Sequence, residues 1–309
     1  MDRLVTMADT TGTTQWTYDS VGRATGVSSP QGSVSYTYDL VGQRTSMAQP
    51  QGLVSYTYDS LGRVVSMDDW NGATTAMAYD RDGRTTGITR SNGVVTGLSY
   101  DGAGRLVGVS HADGGGVIDN FAYTLDANGN RVAAASSSGT ESYALDALNR
   151  LAGVTYADGS TANYAYDAAG NRIAEALNGG APVAYVYDAA SRLAQVGSTS
   201  FTYDEAGNRL TTGDATYQWD AEGNLAAIAG PGGVATFEYD GTGLRVSTSD
   251  GVSTTDLLWD RLAGLPDIIS DGSTAFVHAG GTPIAEIGGA VRSDLLGDGL
   301  GSIPVSYTH

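Results

Sequence analysis

In the stretch SVSYTYD, Ser33 to Asp39, apolar and polar residues alternate one for one. Val34, Tyr36 and Tyr38 fall on one side of an extended chain and Ser35 and Thr37 on the other, which is the two-residue period of a half-buried strand. Such alternation recurs between turn signals along the chain, and apolar positions at helical spacing are hard to find. The pattern therefore predicts strands throughout.

Each alternating run ends in the same punctuation. YDSVGR (Tyr18 to Arg23) returns as YDLVGQR, YDSLGR, YDRDGR, YDGAGR, LDANGNR, LDALNR, YDAAGNR, YDAASR, YDEAGNR, WDAEGNL and YDGTGLR. Its aspartates are Asp19, Asp39, Asp59, Asp80, Asp101, Asp126, Asp146, Asp167, Asp188, Asp204, Asp220 and Asp240, with gaps of 20, 20, 21, 21, 25, 20, 21, 21, 16, 16 and 20 residues. Sixteen of the eighteen tyrosines lie on or just before the motif. Aspartate suits the first position of a type I turn, where its carboxylate accepts a backbone N–H, and the glycine three residues on suits the left-handed position that closes a three-residue hairpin loop with a bulge. Asn149 takes the glycine's place in LDALNR and tolerates the same conformation. Arginine opens the return strand, within reach of a carboxylate or of carbonyls on a neighbouring turn.

The full motif is spelled by Tyr18, Asp19, Gly22 and Arg23, by Tyr58, Asp59, Gly62 and Arg63, and by Tyr79, Asp80, Gly83 and Arg84. Tyr100, Asp101, Gly104 and Arg105 complete this group. In a second group arginine comes one residue later, as in Tyr38, Asp39 and Gly42 before Arg44, and in Tyr166, Asp167, Gly170 and Arg172. The set Tyr203, Asp204, Gly207 and Arg209 follows suit, as does Arg131. An uncompensated extra residue would flip every later side chain to the other face, so the second group is expected to carry a bulge or a loop one residue longer.

Halfway between aspartates stands a second turn signal: Gln31-Gly32, Gln51-Gly52, Asn71-Gly72, Asn92-Gly93, Asp113-Gly114, Asp158-Gly159 and Asn178-Gly179. Such pairs suit two-residue hairpin turns whose central residues both take positive φ. Each repeat is then one hairpin, and twelve repeats give about 24 strands in one antiparallel meander. At about 4.8 Å per strand the sheet would be roughly 115 Å wide, and open sheets seldom exceed about ten strands without curling. The expected fold is all-β, a hairpin array curling into an open spiral, with exposed first and last strands. A β-propeller of forty-residue blades is the alternative, disfavoured by the irregular gaps and by the likeness of odd and even repeats.

YDSVGRATGV, YDSLGRVVSM, YDGAGRLVGV and YDEAGNRLTT resemble the YD repeats of RHS (rearrangement hot spot) proteins over roughly residues 10–305. LLWDRLAGLPDIIS, FVHAGGTPIAEI and LLGDGLGSIPV resemble the last segments of that repeat region, whose terminal motif here is Asp298, Gly299, Leu300, Gly301 and Ser302. The expected organisation is a hairpin array over 1–250 and a terminal repeat region over 251–309, continuous with the same sheet. The family includes polymorphic toxins, insecticidal toxin-complex subunits, wall-associated proteins and the teneurins. The resemblance implies a hollow β-shell that, in the toxins, encloses a C-terminal toxin released by an aspartyl autoprotease segment with a DPxG-like cleavage motif. That segment would follow the terminal motif. The sequence ends at His309 before it, so the expectation is a non-enzymatic shell fragment. Its partners would be a C-terminal toxin or effector cargo on a longer polypeptide and a secretion-system or other shell component, in a secreted or cell-surface setting. The alternative is an adhesion or carbohydrate-binding module that takes cell-surface glycan.

Composition narrows the chemistry. The chain has 309 residues, 44 of them glycine, no cysteine, and a net charge of −18 with arginine as its only strongly basic residue. Disulfides and thiolate metal sites are excluded, and the charge disfavours nucleic acid and anionic membrane surfaces. No apolar run approaches a membrane span, and the first twenty residues carry no visible secretory signal. His111, His278 and His309 lack metal-ligand spacing, and no nucleophile elbow, phosphate loop or dinucleotide fingerprint occurs. Asp80 and Asp82 sit on a turn, and neither DRDG nor DANGN fits an EF-hand loop. No catalytic, cofactor or metal residue is expected. Tyrosine rows could stack on sugars, but they share a face with residues such as Val34 and are better explained by burial.

Overall fold

A computed structural model describes residues 3–263, 265–279, 282–289, 291–298, 302 and 305–308. Among these the chain is all β, without a helix, and therefore without a helix long and apolar enough to cross a membrane. Twenty-six strands belong to one antiparallel sheet and six more to a second. The first sheet is the expected open meander rather than a closed barrel or a set of blades: strands adjacent in sequence pair with each other, as Gly12–Tyr18 pairs with Ala24–Ser29 and that strand with Gly32–Tyr38.

The YD turn has the predicted form. In the first full copy the Gly22 amide donates to the Asp19 carbonyl at 3.0 Å and the Asp19 amide to the Arg23 carbonyl at 2.9 Å. Asp19 Oδ1 accepts from the amides of Val21 and Arg23, and Gly22 sits at φ 90°. The ladder skips a residue just before the turn, at Thr17/Tyr18. The same skip occurs at Thr37/Tyr38, Ala165/Tyr166 and Thr202/Tyr203.

The second arginine group thus carries a bulge, as expected, but so does the first, and neither has a longer loop. Asp39 bonds to Gln43, Asp167 to Asn171 and Asp204 to Asn208 across loops of the same length as the first group's. Tyr38 pairs with Arg44 as Tyr18 pairs with Ala24. The bulge is common to both groups, so an arginine one position later lengthens nothing and simply points to the other side of the strand.

The second turn signal is also of more than one kind. Asn178 and Gly179 both have positive φ, 50° and 67°, as a two-residue turn of the predicted type requires. At Asn71-Gly72 the Gly72 amide donates to Asp69 and the Asp69 amide to Ala73, which is the YD turn geometry again. At Gln31-Gly32 the loop is Pro30-Gln31, and Gly32 already pairs with Ser29. In the next repeat glycine is required by crowding, because a Cβ on Gly52 would lie 2.2 Å from Trp70 Cβ.

Contacts divide the chain into two compact units, one of residues 1–97, 111–116 and 236–309, the other of 98–110 and 117–235. The first unit holds a two-layer core. Trp16, Val27, Val34, Tyr36, Met47, Val54 and Met67 supply one layer, and Leu258, Ile269, Val277, Ile284, Ala285 and Ile287 the other. The second layer is the six-stranded sheet Leu258–Asp260, Asp267–Ser270, Thr274–Ala279, Thr282–Gly288, Val291–Leu296 and Val305–Thr308. Of residues 251–309, the strands from Leu258 onward therefore form this second sheet and do not continue the first as expected. Thr254–Asp256 is the last strand of the first sheet, and the adjacent Leu257 and Leu258 are both buried. Two buried neighbours break the alternation of a one-sided strand, and in Val291–Leu296 the residues Ser293, Asp294, Leu295 and Leu296 are buried consecutively. The first strand is tied as well: the Gly241 amide donates to Asp9 Oδ2 at 2.8 Å. Within the second unit, buried apolar side chains are fewer, among them Val109, Tyr123, Val154 and Ala162.

Candidate functional site

The sheet has an aromatic face and a hydroxyl face. Thr37 Oγ1 meets Ser46 Oγ at 2.6 Å on the hydroxyl face, and Thr202 and Thr211 repeat the contact. Two lattices run along the sheet. In the first, the ring before each aspartate reaches back across the preceding hairpin. Tyr18 donates to the Leu4 carbonyl, Tyr38 to Ala24, Tyr58 to Arg44 and Tyr79 to Val64, each at 2.7 Å. Tyr166, Tyr187 and Tyr203 do the same to Leu151, Arg172 and Leu193. Most of these acceptors follow the preceding turn at the bulge, where ladder bonding is interrupted and a carbonyl needs another donor. Tryptophan can serve because indole also donates: Trp219 Nε1 bonds to the Arg209 carbonyl at 2.7 Å.

The first arginine group strengthens the same seam. Arg23 Nε lies 2.6 Å from Asp19 Oδ2 in its own turn, and its Nη1 donates to the Asp39 carbonyl of the next turn at 2.9 Å. Its guanidinium covers Tyr38, 4.9 Å from the ring centre. Arg63 repeats the three contacts with Asp59, Asp80 and Tyr79. Arg105 grips Asp101 and the Asp126 carbonyl, and Arg84 pairs with Asp80. In some copies where the arginine is displaced, asparagine takes its place at the turn, as Asn171 Nδ2 bonds to Asp167 Oδ2 and Asn208 Nδ2 to Asp204 Oδ2. The amides of Arg63, Arg105 and Arg192, aided by their guanidinium groups, hold the Asp59, Asp101 and Asp188 carboxyls below the usual carboxylate range.

The second group lies on the aromatic face. Arg172 stacks on Tyr164 and Tyr185 at 5.5 and 4.3 Å, and Arg209 on Phe201 and Tyr217 at 5.2 and 6.0 Å. Arg44 stacks on Tyr36 and Tyr56 and is met by Asp260 of the six-stranded sheet. Asp260 also accepts from Tyr36 Oη at 2.9 Å and from the Leu262 amide at 3.1 Å. Burial opposes the charge on Arg44, and the Asp260 carboxylate more than restores it. Burial raises the Tyr36 phenol, with Asp260 adding to the rise, and pushes Tyr56 up to about 12.

Around this pair opens a cavity of about 630 Å³ whose lining includes Arg44, Tyr56, Asp260, Asp267, Ile269 and His278. Burial lowers the His278 pKa, against the pull of Asp267 and Asp260. A second buried cluster joins the same two layers. Arg292 pairs with Asp69 and Asp294, Arg90 stands 3.7 Å from Asp294, and His111 Nε2 lies 3.1 Å from the Gly297 carbonyl. Asp240 pairs with Arg261. Among the described residues no three His, Cys, Asp or Glu side chains are grouped to hold a metal. Asp260, the carboxylate that meets Arg44 in the cavity, joins one layer to the other.

These anchors escaped the sequence reading, although a lone aspartate or arginine inside an apolar run, as in LLWDRLAGL or AVRSDLL, marks them. Of the terminal motif, the Ser302 amide donates to Asp298 Oδ1 at 3.0 Å, while Gly299, Leu300 and Gly301 lie outside the described residues, as does His309.

The Teneurin YD-shell family model matches residues 3–116 and 120–254. The chain belongs to the teneurin YD-shell family. Solved structures of low sequence identity share its fold. The crystal structure of TcdB2-TccC3-TEV superposes with a TM-score of 0.78 at 15% identity, covering 98% of this chain and 20% of that one. The Photorhabdus luminescens Tc holotoxin pore gives 0.71 at 14% identity, covering 95% and 18%. TcdB2-TccC3-Cdc42 gives 0.72 at 15%, covering 97% and 20%. This YD-shell chain thus spans about a fifth of those chains. No curated protein sequence matches it.

Proposed function

We propose that the chain is a non-enzymatic structural segment of an RHS-type shell that encloses or presents a C-terminal toxin or effector borne on a longer polypeptide. The observation that carries this reading is the docking of the six-stranded sheet on the repeats by a shared apolar core and buried ion pairs. That docking fixes the path of the polypeptide up to Val305–Thr308, the last strand of the docked sheet, from which a C-terminal domain of the longer polypeptide would be handed on. The setting is secreted or cell-surface, and a secretion component or another shell segment is the natural partner of such a wall. The full-length gene product, treated with protease beside its separated C-terminal domain, provides the test. Protection of the domain only within the full-length protein is expected, and equal digestion rates overturn the reading.

Half-buried rings on the aromatic face of the second unit, including Tyr143, Tyr164 and Tyr217, favour a second reading as a glycan-binding adhesion module. A glycan array supports it if binding is specific and lost when these rings are replaced by alanine.

A further inference from the structure

Two cavities in this protein are built from the same positions of the repeat. Arg44 is the fifth residue after Asp39, and its cavity continues along Tyr56, Tyr58 and Val64 of the next hairpin. Arg209 is the fifth residue after Asp204, and a cavity of about 310 Å³ in the second unit runs along Tyr217, Trp219 and Leu225 of its next hairpin. Position for position, Tyr217 answers to Tyr56, Trp219 to Tyr58 and Leu225 to Val64. In both, a guanidinium lies within about 6 Å of one ring of its own hairpin and one of the next.

The cradles differ in what they hold. Arg44 receives the Asp260 carboxylate from a facing strand. Arg172, at the same repeat position, has Glu175 of its own strand at 3.8 Å and donates to Tyr185 Oη, which in turn donates to that glutamate. Arg209 has no carboxylate partner among the described residues. The position of Glu175, paired with Tyr164, is taken by Thr212, paired with Phe201. Thr212 Oγ1 is buried and has no hydrogen-bond partner among the described residues. An unpaired guanidinium and an orphaned hydroxyl on one face mark a polar vacancy that a native structure ordinarily fills.

We infer that the Arg209 cradle is a receptor for an aspartate or glutamate side chain of a partner polypeptide, presented as Asp260 is presented to Arg44. The choice of a polypeptide over an acidic sugar rests on that internal precedent, in which a strand lying on the aromatic face delivers the acid. Guanidinium suits the task because its fork binds both carboxylate oxygens while its faces stack on the rings. The inference holds whether or not the shell encloses a cargo.

The test uses the whole chain with ¹⁵N-labelled arginine, following the Nε–H resonances. The probe is the capped peptide LLWDRLA, the sequence of residues 257–263, with LLWNRLA as its uncharged counterpart. A saturable shift of Arg209 is expected with the aspartate peptide, at least about ten-fold weaker with the asparagine peptide as for loss of a charge-assisted bond, and Arg44 should stay unmoved. R209K should weaken binding several-fold while the other arginine resonances keep their positions, which reports a folded variant. Equal response to both peptides, no response at Arg209, or tighter binding of glucuronate than of the aspartate peptide overturns the inference.

Discussion

Arg44 and Asp260 form a lock whose strength can be worked from its surroundings. Asp260 is 5% exposed and accepts from Arg44, Tyr36 Oη and the Leu262 amide. Asp260→Leu leaves the guanidinium uncompensated between Tyr36 and Tyr56, and removing one partner of a buried pair costs about 3–5 kcal/mol. Arg44→Met keeps a long stem in that slot and strands the carboxylate instead. The double variant removes both charges and leaves chiefly the Tyr36 hydroxyl unpaired, at about 1–3 kcal/mol. Because the Arg44 side chain is 22% exposed, water recovers part of each single penalty, which sets the coupling at about 2–3 kcal/mol. A repeat array need not unfold in one step, so the assay is native-state hydrogen exchange at the amides of Thr274–Ala279 and Thr282–Gly288. Each single variant should open these strands at lower free energy, and the double variant should restore much of the loss. Additive single effects, or protection lost equally in the hairpins of the second unit, would refute the lock.

Three further outcomes follow from the lattices. Tyr38→Phe removes the donor to the Ala24 carbonyl and should cost about 1 kcal/mol, while Tyr38→Trp should cost less because Trp219 makes the equivalent bond; local hydrogen exchange around Ala24 decides between them. Ser191 holds φ 58° at the position glycine takes in most copies, so Ser191→Gly should stabilise its hairpin by about 1 kcal/mol, read from the denaturation midpoint, and Gly62→Ala at φ 80° should destabilise its own. The folded-state pKa values of Asp59, Asp101 and Asp188 lie below the usual carboxylate range. Their contribution is thus fully present above the unfolded value near pH 4 and is lost as pH falls through the lower folded values. Exchange rates of the turn amides should rise on going from pH 5 to pH 2.5 after correction for intrinsic chemistry, and D59N should flatten that dependence for the Asp59 turn.

The strands, the turn at Asp19 and its copies, and the left-handed Asn149 were legible because they depend on neighbours within five residues. Tyr18 was legible as a packing residue but not as a donor to Leu4, because its acceptor lies fourteen residues away and is freed by a bulge that the sequence marks only indirectly. The shift of arginine from Arg23 to Arg44 was visible, and so was the need for a bulge, but not that both groups share it. Loop length and side-chain direction change together in a plain strand, but the bulge at Thr37/Tyr38 lets one residue switch faces without moving the register. The second sheet was hidden for another reason. Its strands share the composition of the repeats, and only the two-sided burial of segments such as Ser293–Leu296 separates a covering layer from a continuing meander.

The two arginine positions explain how one short motif serves two ends. An arginine four residues after the aspartate is consumed by the wall: its carboxylate, its acceptor carbonyl and its ring all belong to the same seam. One position later it is released from the seam, asparagine or glutamine takes over the turn, and the guanidinium is offered to whatever covers the aromatic face. Where the chain's own sheet provides the cover, an acid meets it at Asp260. A single-residue displacement within a fixed loop therefore divides the repeats into those that hold the sheet together and those that hold something against it, and Arg209 is where that division is open to measurement.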